Sequence, residues 1–416
     1  MSPTSYKAFK VLSGNKILSD VFINVRDGII ESIEADPAFP ENSMDLGRET
    51  VVYPGFINTH THSFQSLLRG GVNDCNLQDF LNIVYKACAD YKPEDIYKGA
   101  LISFEEMARN GITTVCDFFY VNGHGNHYAK EVIRAAKEIG IRLTLARTIM
   151  DDSKLPASIR EDLETGLARY RELRSEFDDY PMVKIILAPH SVYYSSEEVI
   201  AAVKKESETL NQKWHMHYAD SQWTRDYAQE HFKTTELQHL AKQDLVDGNF
   251  VGIHGIWADQ ADIELMAKHG VSISHNPRSN QFIGEPVPRI WEMLQAGVCV
   301  GIGTDGAASN PSLNVSEEIK QALLAQKSNH RDPCRLGLQE GLKIATDNSA
   351  EIVGYKTGRL EKGYFADFLV CDLNHPSLYP IENLVSHFIY SFSPQSLKKV
   401  IVHGTELAAM RFGQDK

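Results

Sequence analysis

The hydrophobic and polar residues of this chain follow two different periods, and the change between them divides the sequence. Near both ends, short runs of alternating apolar and polar residues predict β-strands. The Asp27-Gly28 pair between two such runs is typical of a hairpin turn. Because both ends carry the same β pattern, we expect residues 1–50 and 356–416 to form one small β-sandwich domain.

Between the two ends, residues 51–355 alternate short apolar β runs with amphipathic helical stretches. This alternation is typical of parallel strands joined by helical crossovers, and eight such strands can be counted. We therefore expect an α/β fold with a central (β/α)₈ TIM-like barrel, which needs about 250 residues or more. The eight predicted strands are VVYPGFIN, ITTVCDF, IRLTLAR, VKIILAP, KWHMH, FVGIH, VSISH and VCVGIGTD.

Composition and charge narrow the range of partners. The 416 residues are 43% hydrophobic and 23% charged, as in an ordinary globular protein with a large core. The formal net charge of −13 disfavours nucleic acid or a membrane surface, and favours a small neutral or cationic molecule. No signal peptide or membrane span is evident, so we expect a cytoplasmic protein. Barrel enzymes often pair, so we also expect a homo-oligomer.

Metal-binding side chains stand at the ends of several predicted strands. In an extended segment His60 and His62 point the same way and can present two imidazoles to one cation. His217 closes another strand and Asp305 closes the last, and in a barrel all these strand ends meet at one face. Three imidazoles and one carboxylate suit Zn²⁺ or Fe²⁺. Taken alone, Asp305 could instead cap a following helix.

Six segments of the chain resemble a known superfamily: PGFINTHTHSFQSLLRG, LAPHSVYY, HMHYAD, GIHGIWAD, SHNPRSN and GIGTDGAASN. They are similar to the amidohydrolases, and within them to the branch of guanine, S-adenosylhomocysteine, 8-oxoguanine, pterin and triazine aminohydrolases. The resemblance covers nearly the whole chain. It implies a metal-dependent hydrolase of C–N bonds that deaminates an amino-substituted purine, pterin or triazine with water activated at the metal. Amide or C–Cl hydrolysis at the same site is the alternative. A binding barrel without activity is disfavoured, because all four metal ligands are present.

The same resemblance implies roles for individual residues. His60, His62, His217 and Asp305 would hold the metal, and Asp305 would also accept the proton of the attacking water. His254 would lie beside the metal and contact the substrate, unless it is only a structural histidine. Members with two metals usually carry a lysine at the end of strand four. This chain has Ala188-Pro189-His190 there, so we expect one divalent metal, zinc or else iron.

Three further residues are similar in position to substrate contacts of the branch. They are His190, Gln65 and Arg147, and each also has a structural alternative. His190 could serve packing, Gln65 could cap the following helix, and Arg147 could pair with a neighbouring aspartate. His275 and Asn280, in SHNPRSN, are expected to support the site from below.

One position departs from the pattern of the branch. A glutamate usually follows the strand-five metal histidine by three residues and passes a proton to the substrate ring, whereas this chain has Asp220. Asp is one methylene shorter, which moves the carboxylate by about 1.5 Å, and a misplacement of about 1 Å in a catalytic group is costly. Asp220 could remain the proton shuttle on a shifted loop. The reaction could instead need no such shuttle, or activity could be weak or lost.

Overall fold

The structure, a computed structural model, describes residues 4–35 and 43–407. Parts of the predicted terminal domain, residues 1–3, 36–42 and 408–416, lie outside the described residues. The strands are β1 (Thr4–Ser13), β2 (Lys16–Arg26), β3 (Ile29–Glu34), β4 (Ser43–Asp45), β5 (Thr50–Pro54), β6 (Phe56–Thr61), β7 (Ile112–Phe119), β8 (Arg142–Ile149), β9 (Val183–Pro189), β10 (Trp214–Tyr218), β11 (Phe250–His254), β12 (Ser272–His275), β13 (Cys299–Ile302), β14 (Phe368–Asp372), β15 (Leu397–Val402) and β16 (Thr405–Glu406).

Helices connect most of the central strands. They are α1 (Leu77–Asp90), α2 (Pro93–Arg109), α3 (Asn126–Ile139), α4 (Leu163–Phe177), α5 (Glu197–Leu210), α6 (Gln222–Phe232), α7 (Glu236–Lys242), α8 (Gln260–His269), α9 (Pro277–Phe282), α10 (Ile290–Gln295), α11 (Val315–His330), α12 (Leu338–Lys343), α13 (Ser349–Val353) and α14 (Leu384–Ser386). Short 3₁₀ segments span Ser63–Leu68, Pro376–Leu378 and Pro394–Ser396, and π-helical turns span Ile344–Asn348 and His387–Ser391. None of the helices within the described ranges is both long and apolar enough to cross a membrane.

Strands from both ends of the chain pair in one sheet, as the terminal β patterns indicate. Its order is β16-β15-β14-β5-β1-β2-β3, and β4 pairs with β1. The predicted hairpin turn at Asp27-Gly28 is confirmed: both residues have positive φ, and β2 pairs antiparallel with β3. The sheet has a small core of its own. In it the rings of Tyr6 and Phe368 pack edge to face, with their centroids 5.2 Å apart.

The segment VVYPGFIN, expected to be one barrel strand, is two strands. β5 pairs with β14 and β1 in the terminal sheet, whereas β6 pairs with β7 in the central fold. The change of sheet occurs at Gly55, where an added Cβ would lie 2.1 Å from Oγ1 of Thr113. A side chain has no room at this crossing. The terminal sheet extends to Pro54, which pairs with Phe368, rather than to residue 50.

The central strands form two parallel sheets of four strands each, β6-β7-β8-β9 and β10-β11-β12-β13. Backbone hydrogen bonds join the two sheets at both junctions. The N–H of His217 donates to the carbonyl oxygen of His190 at 2.9 Å, and the N–H of Asp305 donates to that of His60 at 2.9 Å. The two sheets therefore meet near His190 and His217 and near His60 and Asp305.

Candidate metal centre

The four predicted metal ligands lie together at the carboxyl ends of three strands. His60 is in β6 and His62 follows it, His217 is in β10, and Asp305 follows β13. All four side chains are buried. No helix begins after Asp305, where residues 307–309 form a turn, so the alternative role as a helix cap is wrong.

The distances among these side chains suit a single cation. Ring nitrogens of His60, His62 and His217 lie within 4.8 Å of one another. Nε2 of His60 and Nε2 of His62 lie 3.4 and 3.5 Å from Oδ1 of Asp305. Both separations exceed an ordinary hydrogen bond of about 2.9 Å. They match the spacing of about 3.4 Å between two ligand atoms that each lie about 2.1 Å from one tetrahedral zinc ion.

Backbone carbonyl groups orient two of the histidines. Nδ1 of His62 lies 2.7 Å from the carbonyl oxygen of Phe118, and Nδ1 of His217 lies 3.1 Å from that of His190. A carbonyl oxygen accepts hydrogen bonds, so each Nδ1 carries the proton and each Nε2 keeps its lone pair for a metal.

The environment of His60 shows whether a metal fits the site. It is fully buried, yet neither of its ring nitrogens has a hydrogen-bond partner within the described part of the chain. Burial lowers the pKa of His60 to about 3, so the ring is neutral at physiological pH. A buried, neutral, unpartnered imidazole is costly unless a ligand satisfies it, and a divalent metal would do so.

Asp305 is held as an ionised carboxylate. Oδ2 accepts hydrogen bonds from the hydroxyl groups of Ser279 at 2.6 Å and Ser309 at 3.0 Å. Burial acts to raise the pKa of Asp305, but the adjacent imidazoles, His60 above all, hold it well below its usual value. The backbone N–H of Gly306 also donates to Oδ1 at 2.7 Å, and an added Cβ at Gly306 would lie 2.1 Å from Oε1 of Gln65.

His254 lies on the opposite side of Asp305. Its Nε2 is 4.0 Å from Oδ2 of Asp305, and its Nδ1 is 2.8 Å from Oδ1 of Asn280. The amide oxygen of Asn280 accepts the Nδ1 proton, which directs Nε2 into the site. Asn280, expected from sequence to be structural support, thus orients the histidine beside the metal.

Three residues of the site that are not glycine have a left-handed backbone. They are Ala219 (φ 48°), His254 (φ 77°) and Asp305 (φ 62°). This conformation costs on the order of 1 kcal/mol or more for a residue with a Cβ. All three follow or end a central strand, so the strain is concentrated where the side chains turn toward the site.

Asp220 lies in the same cavity as the metal ligands. Oδ2 accepts a hydrogen bond from the hydroxyl group of Tyr193 at 2.9 Å. Oδ1 has no hydrogen-bond donor among residues 4–35 and 43–407. Burial raises the pKa of Asp220, so its carboxyl group takes up a proton more readily than an exposed one.

Two of the three predicted substrate contacts line the cavity, and the third does not. His190 lines it and stacks on His217 at 4.6 Å. Gln65 lines it with Oε1 unpartnered among the described residues, while its Nε2 donates to the hydroxyl group of Tyr120 at 3.0 Å. Arg147 is fully buried, and its guanidinium makes two hydrogen bonds to Glu161 at 2.8 and 2.9 Å. This ion pair uses the guanidinium group, so the prediction that Arg147 contacts substrate is corrected.

The cavity has an apolar and aromatic wall facing the metal ligands. None of the described residues that line it is a lysine or an arginine. The wall consists of Leu77, Phe80, Leu81, Tyr120, Tyr193 and Ile283. Apolar and aromatic side chains beside a few polar groups suit a flat, uncharged ring.

Sequence reasoning missed several residues of this site, among them Tyr193, Ser279 and Glu236. Tyr193 and Ser279 lie inside quoted motifs, but nothing in the pattern distinguished them from their neighbours. Glu236, the first residue of α7, is buried next to the Asp220 turn and accepts a hydrogen bond from the N–H of Ala219 at 3.3 Å. Acidic residues are common in the first turn of any helix, so Glu236 could not be distinguished from an ordinary helix-start residue by its sequence.

Two overlapping groups of these residues could hold a metal ion: His60, His62 and His217 form one, and His60, His254 and Asp305 form the other. The amidohydrolase family matches residues 51–407. The chain belongs to the amidohydrolase family, which hydrolyses carbon–nitrogen bonds other than peptide bonds.

Comparisons with individual proteins support the same family and fold. A 5-methylthioadenosine/S-adenosylhomocysteine deaminase of Thermococcus sibiricus is 34% identical, over 93% of this chain and 89% of its own length. The crystal structure of an adenosine deaminase from Xanthomonas campestris with bound zinc has a TM-score of 0.90 and 25% identity, covering 98% of this chain and 93% of that one. An atrazine chlorohydrolase from Arthrobacter aurescens TC1 complexed with zinc shares the fold, with a TM-score of 0.89 and 24% identity over 98% and 95% of the two chains.

Proposed function

We propose that this protein is a zinc-dependent aminohydrolase that releases ammonia from an amino-substituted N-heterocycle of the purine type. The observation that carries the proposal is the pairing, in one cavity, of the metal-ligand set with the buried carboxyl group of Asp220. The deaminase names of the Thermococcus and Xanthomonas proteins support the same reaction.

His60, His62, His217 and Asp305 would hold the zinc ion. When bound, zinc supplies Lewis acidity and a water molecule that ionises near neutral pH. Asp305 would take up a proton during the reaction, because its carboxylate is ionised and its Oδ2 is held by a hydrogen bond from Ser279. The same residue then returns the proton to the departing amino group.

Asp220 acts as the proton carrier to the ring. Its Oδ1 faces no hydrogen-bond donor among the described residues, so this atom is available to a substrate ring nitrogen. Tyr193 holds the other oxygen at 2.9 Å and fixes the direction of the carboxyl group. Protonation of the ring nitrogen lets the attacked carbon accept an electron pair from water, and the C–N bond to the amino group then breaks.

The remaining polar groups orient the heterocycle. Nε2 of His254 faces the site, and the unpartnered Oε1 of Gln65 can accept a hydrogen bond from a ring or exocyclic N–H. His190 lines the same cavity. The absence of lysine and arginine from the described lining favours an uncharged or cationic substrate over an anionic one.

We also propose that the two parallel sheets close into one (β/α)₈ barrel. The backbone hydrogen bonds from His217 to His190 and from Asp305 to His60 support closure at both junctions. Residues from Phe56 to about 355 would then form the catalytic domain, and both chain ends would form the smaller domain.

The first experiment is a screen of aminopurines, aminopterins and aminotriazines for ammonia release by protein loaded with one equivalent of zinc. Asp220→Asn should lower the rate of ammonia release by about 100- to 10,000-fold, which is the contribution usual for general acid–base catalysis. Its zinc content should stay at one per chain, because Asp220 is not a ligand.

Chlorinated and amide-bearing analogues of the same rings form the second arm of the screen. Release of chloride or cleavage of amides without ammonia release would replace deamination by the alternative reaction. Normal turnover by Asp220→Asn would remove Asp220 from the mechanism. Failure of the purified protein to bind stoichiometric zinc or iron would contradict the proposed function altogether.

A further inference from the structure

The turn that carries Asp220 is strained and held from two sides. Ala219 has a left-handed backbone with φ 48°, although it is not glycine. Its carbonyl oxygen accepts hydrogen bonds from the N–H groups of Ile256 at 2.9 Å and Trp257 at 3.1 Å. Its own N–H donates to Oε1 of Glu236 at 3.3 Å. The position of the Asp220 carboxyl group therefore depends on contacts made by its neighbour.

Glu236 is an unusual residue to bury at this place. Its side chain is 2% exposed, and Oε2 has no hydrogen-bond partner in the ranges that the structure describes. The nearby hydroxyl group of Thr224 donates to the carbonyl oxygen of Ser221 at 2.9 Å, so its proton is already used. Burial raises the pKa of Glu236 well above its usual value, and the nearby Asp220 adds to the shift.

An apolar side chain would fill this position at lower cost, because a buried carboxyl group with an unpaired oxygen loses its hydration without full compensation. The hydrogen bond to the Ala219 N–H is the contact that only an acceptor at residue 236 can make. The buried carboxyl group of Glu236 therefore serves to hold the 218–220 turn and not to fill the core.

We propose that Glu236 is a positioning residue for Asp220: it anchors the 218–220 turn so that the shorter aspartate side chain reaches the reacting heterocycle. The inference rests on the proposed function. Tyr193 fixes the carboxyl group directly, through Oδ2, and Glu236 fixes the backbone that carries it. Together these two contacts answer how an aspartate can stand where related enzymes use a glutamate.

The test is a double-mutant cycle measured with the best substrate of the ammonia-release screen. Glu236→Ala should lower kcat by about 10- to 100-fold, since a displacement of about 1 Å in a catalytic group costs about that much. KM and zinc content should change less than about twofold. Glu236→Gln keeps an acceptor oxygen for the Ala219 N–H and should retain kcat within about threefold. Glu230→Ala, which removes an exposed carboxylate from α6, is the matched control and should not change kcat.

In the Asp220→Asn background, Glu236→Ala should cause no further loss of the residual rate, because its effect passes through Asp220. An equal loss in both backgrounds would overturn the proposal, as would an unchanged kcat in Glu236→Ala. Hydrogen exchange at the Ala219 amide needs no substrate and should be at least about tenfold faster in Glu236→Ala than in Glu236→Gln. Unchanged exchange overturns the role of Glu236 alone. Absence of ammonia release by the unmodified protein overturns the proposed function, and the proton-transfer role with it.

Discussion

At the scale of single residues, two histidines of one strand have different environments. His215 and His217 are both in β10 and both are buried. His217 contributes a ring nitrogen to the metal-ligand group, whereas Nε2 of His215 lies 3.3 Å from the carbonyl oxygen of Ile352. His215 lies nearer the amino end of β10 than His217, and its ring faces the Ile352 carbonyl group instead of the other histidines.

This difference predicts opposite results for two substitutions. His217→Ala should lose the bound metal and the ammonia-releasing activity together, because it removes one of four ligands. His215→Gln should keep one metal per chain, because a glutamine can still donate to the Ile352 carbonyl group. Metal analysis of protein purified without chelator measures both. Metal retention by His217→Ala would contradict the ligand set.

At the scale of elements, the first metal-binding segment is attached to the neighbouring strand. Asp117 of β7 is fully buried and accepts hydrogen bonds from the N–H of Ser63, at 3.1 Å, and from its hydroxyl group. Ser63 directly follows His62, so this contact fixes the point at which the chain leaves β6. Burial raises the pKa of Asp117 from 3.8 to about 7.

The raised pKa predicts a pH dependence of stability. Between about pH 4 and pH 7 the folded protein keeps a proton on Asp117 that the unfolded chain has released. The contribution of Asp117 to the free energy of unfolding therefore falls as pH rises through this window, by about 1.4 kcal/mol per pH unit. Asp117→Asn lacks this contribution and should gain stability relative to the unmodified protein over the same range. Urea unfolding of the metal-free proteins measures the difference, and parallel pH curves would contradict the prediction.

At the scale of the whole molecule, one buried ion pair joins the central fold to the terminal sheet. Arg142 opens β8, and its guanidinium makes hydrogen bonds of 2.9 and 3.0 Å to Asp367, which precedes β14. Neither side chain is exposed. Asp367 also accepts from the hydroxyl group of Thr357 at 3.0 Å and from the N–H of His403 at 2.7 Å. Loss of the arginine would leave a carboxylate buried with too few partners.

Arg142→Met should therefore lower the free energy of unfolding by about 3–5 kcal/mol, as is usual when one partner of a buried pair is removed. The rate per folded molecule should not change, because Arg142 lies at the amino end of its strand, opposite the metal site. Arg171→Met breaks an exposed pair with Glu206 and is the matched control, with an expected loss below about 1 kcal/mol. Equal losses in the two variants would contradict this account.

Two expectations about the whole molecule stay predictions. A homo-oligomer is expected because barrel enzymes often pair, and light scattering of the purified protein measures it. A cytoplasmic location is expected because the sequence shows no evident signal peptide or membrane span.

The sequence by itself determined most of the secondary-structure elements and predicted the four metal ligands. Strand and helix periods are local, and the carboxyl ends of parallel strands must meet, so His60, His62, His217 and Asp305 could be assigned before any coordinates. Asp220 stands three residues after His217, where the branch that this chain resembles usually has a glutamate. This difference could therefore also be seen in the sequence.

Only the tertiary structure decided which other polar groups join the site. Arg147 and Gln65 had equal standing in the sequence, but a buried Glu161 withdraws the first and the second lines the cavity. Glu236 and Tyr193 come from other elements and reach Asp220 only because the chain folds back on itself. Partners of a buried charge are chosen by packing and desolvation across distant segments, and local sequence patterns do not carry that information.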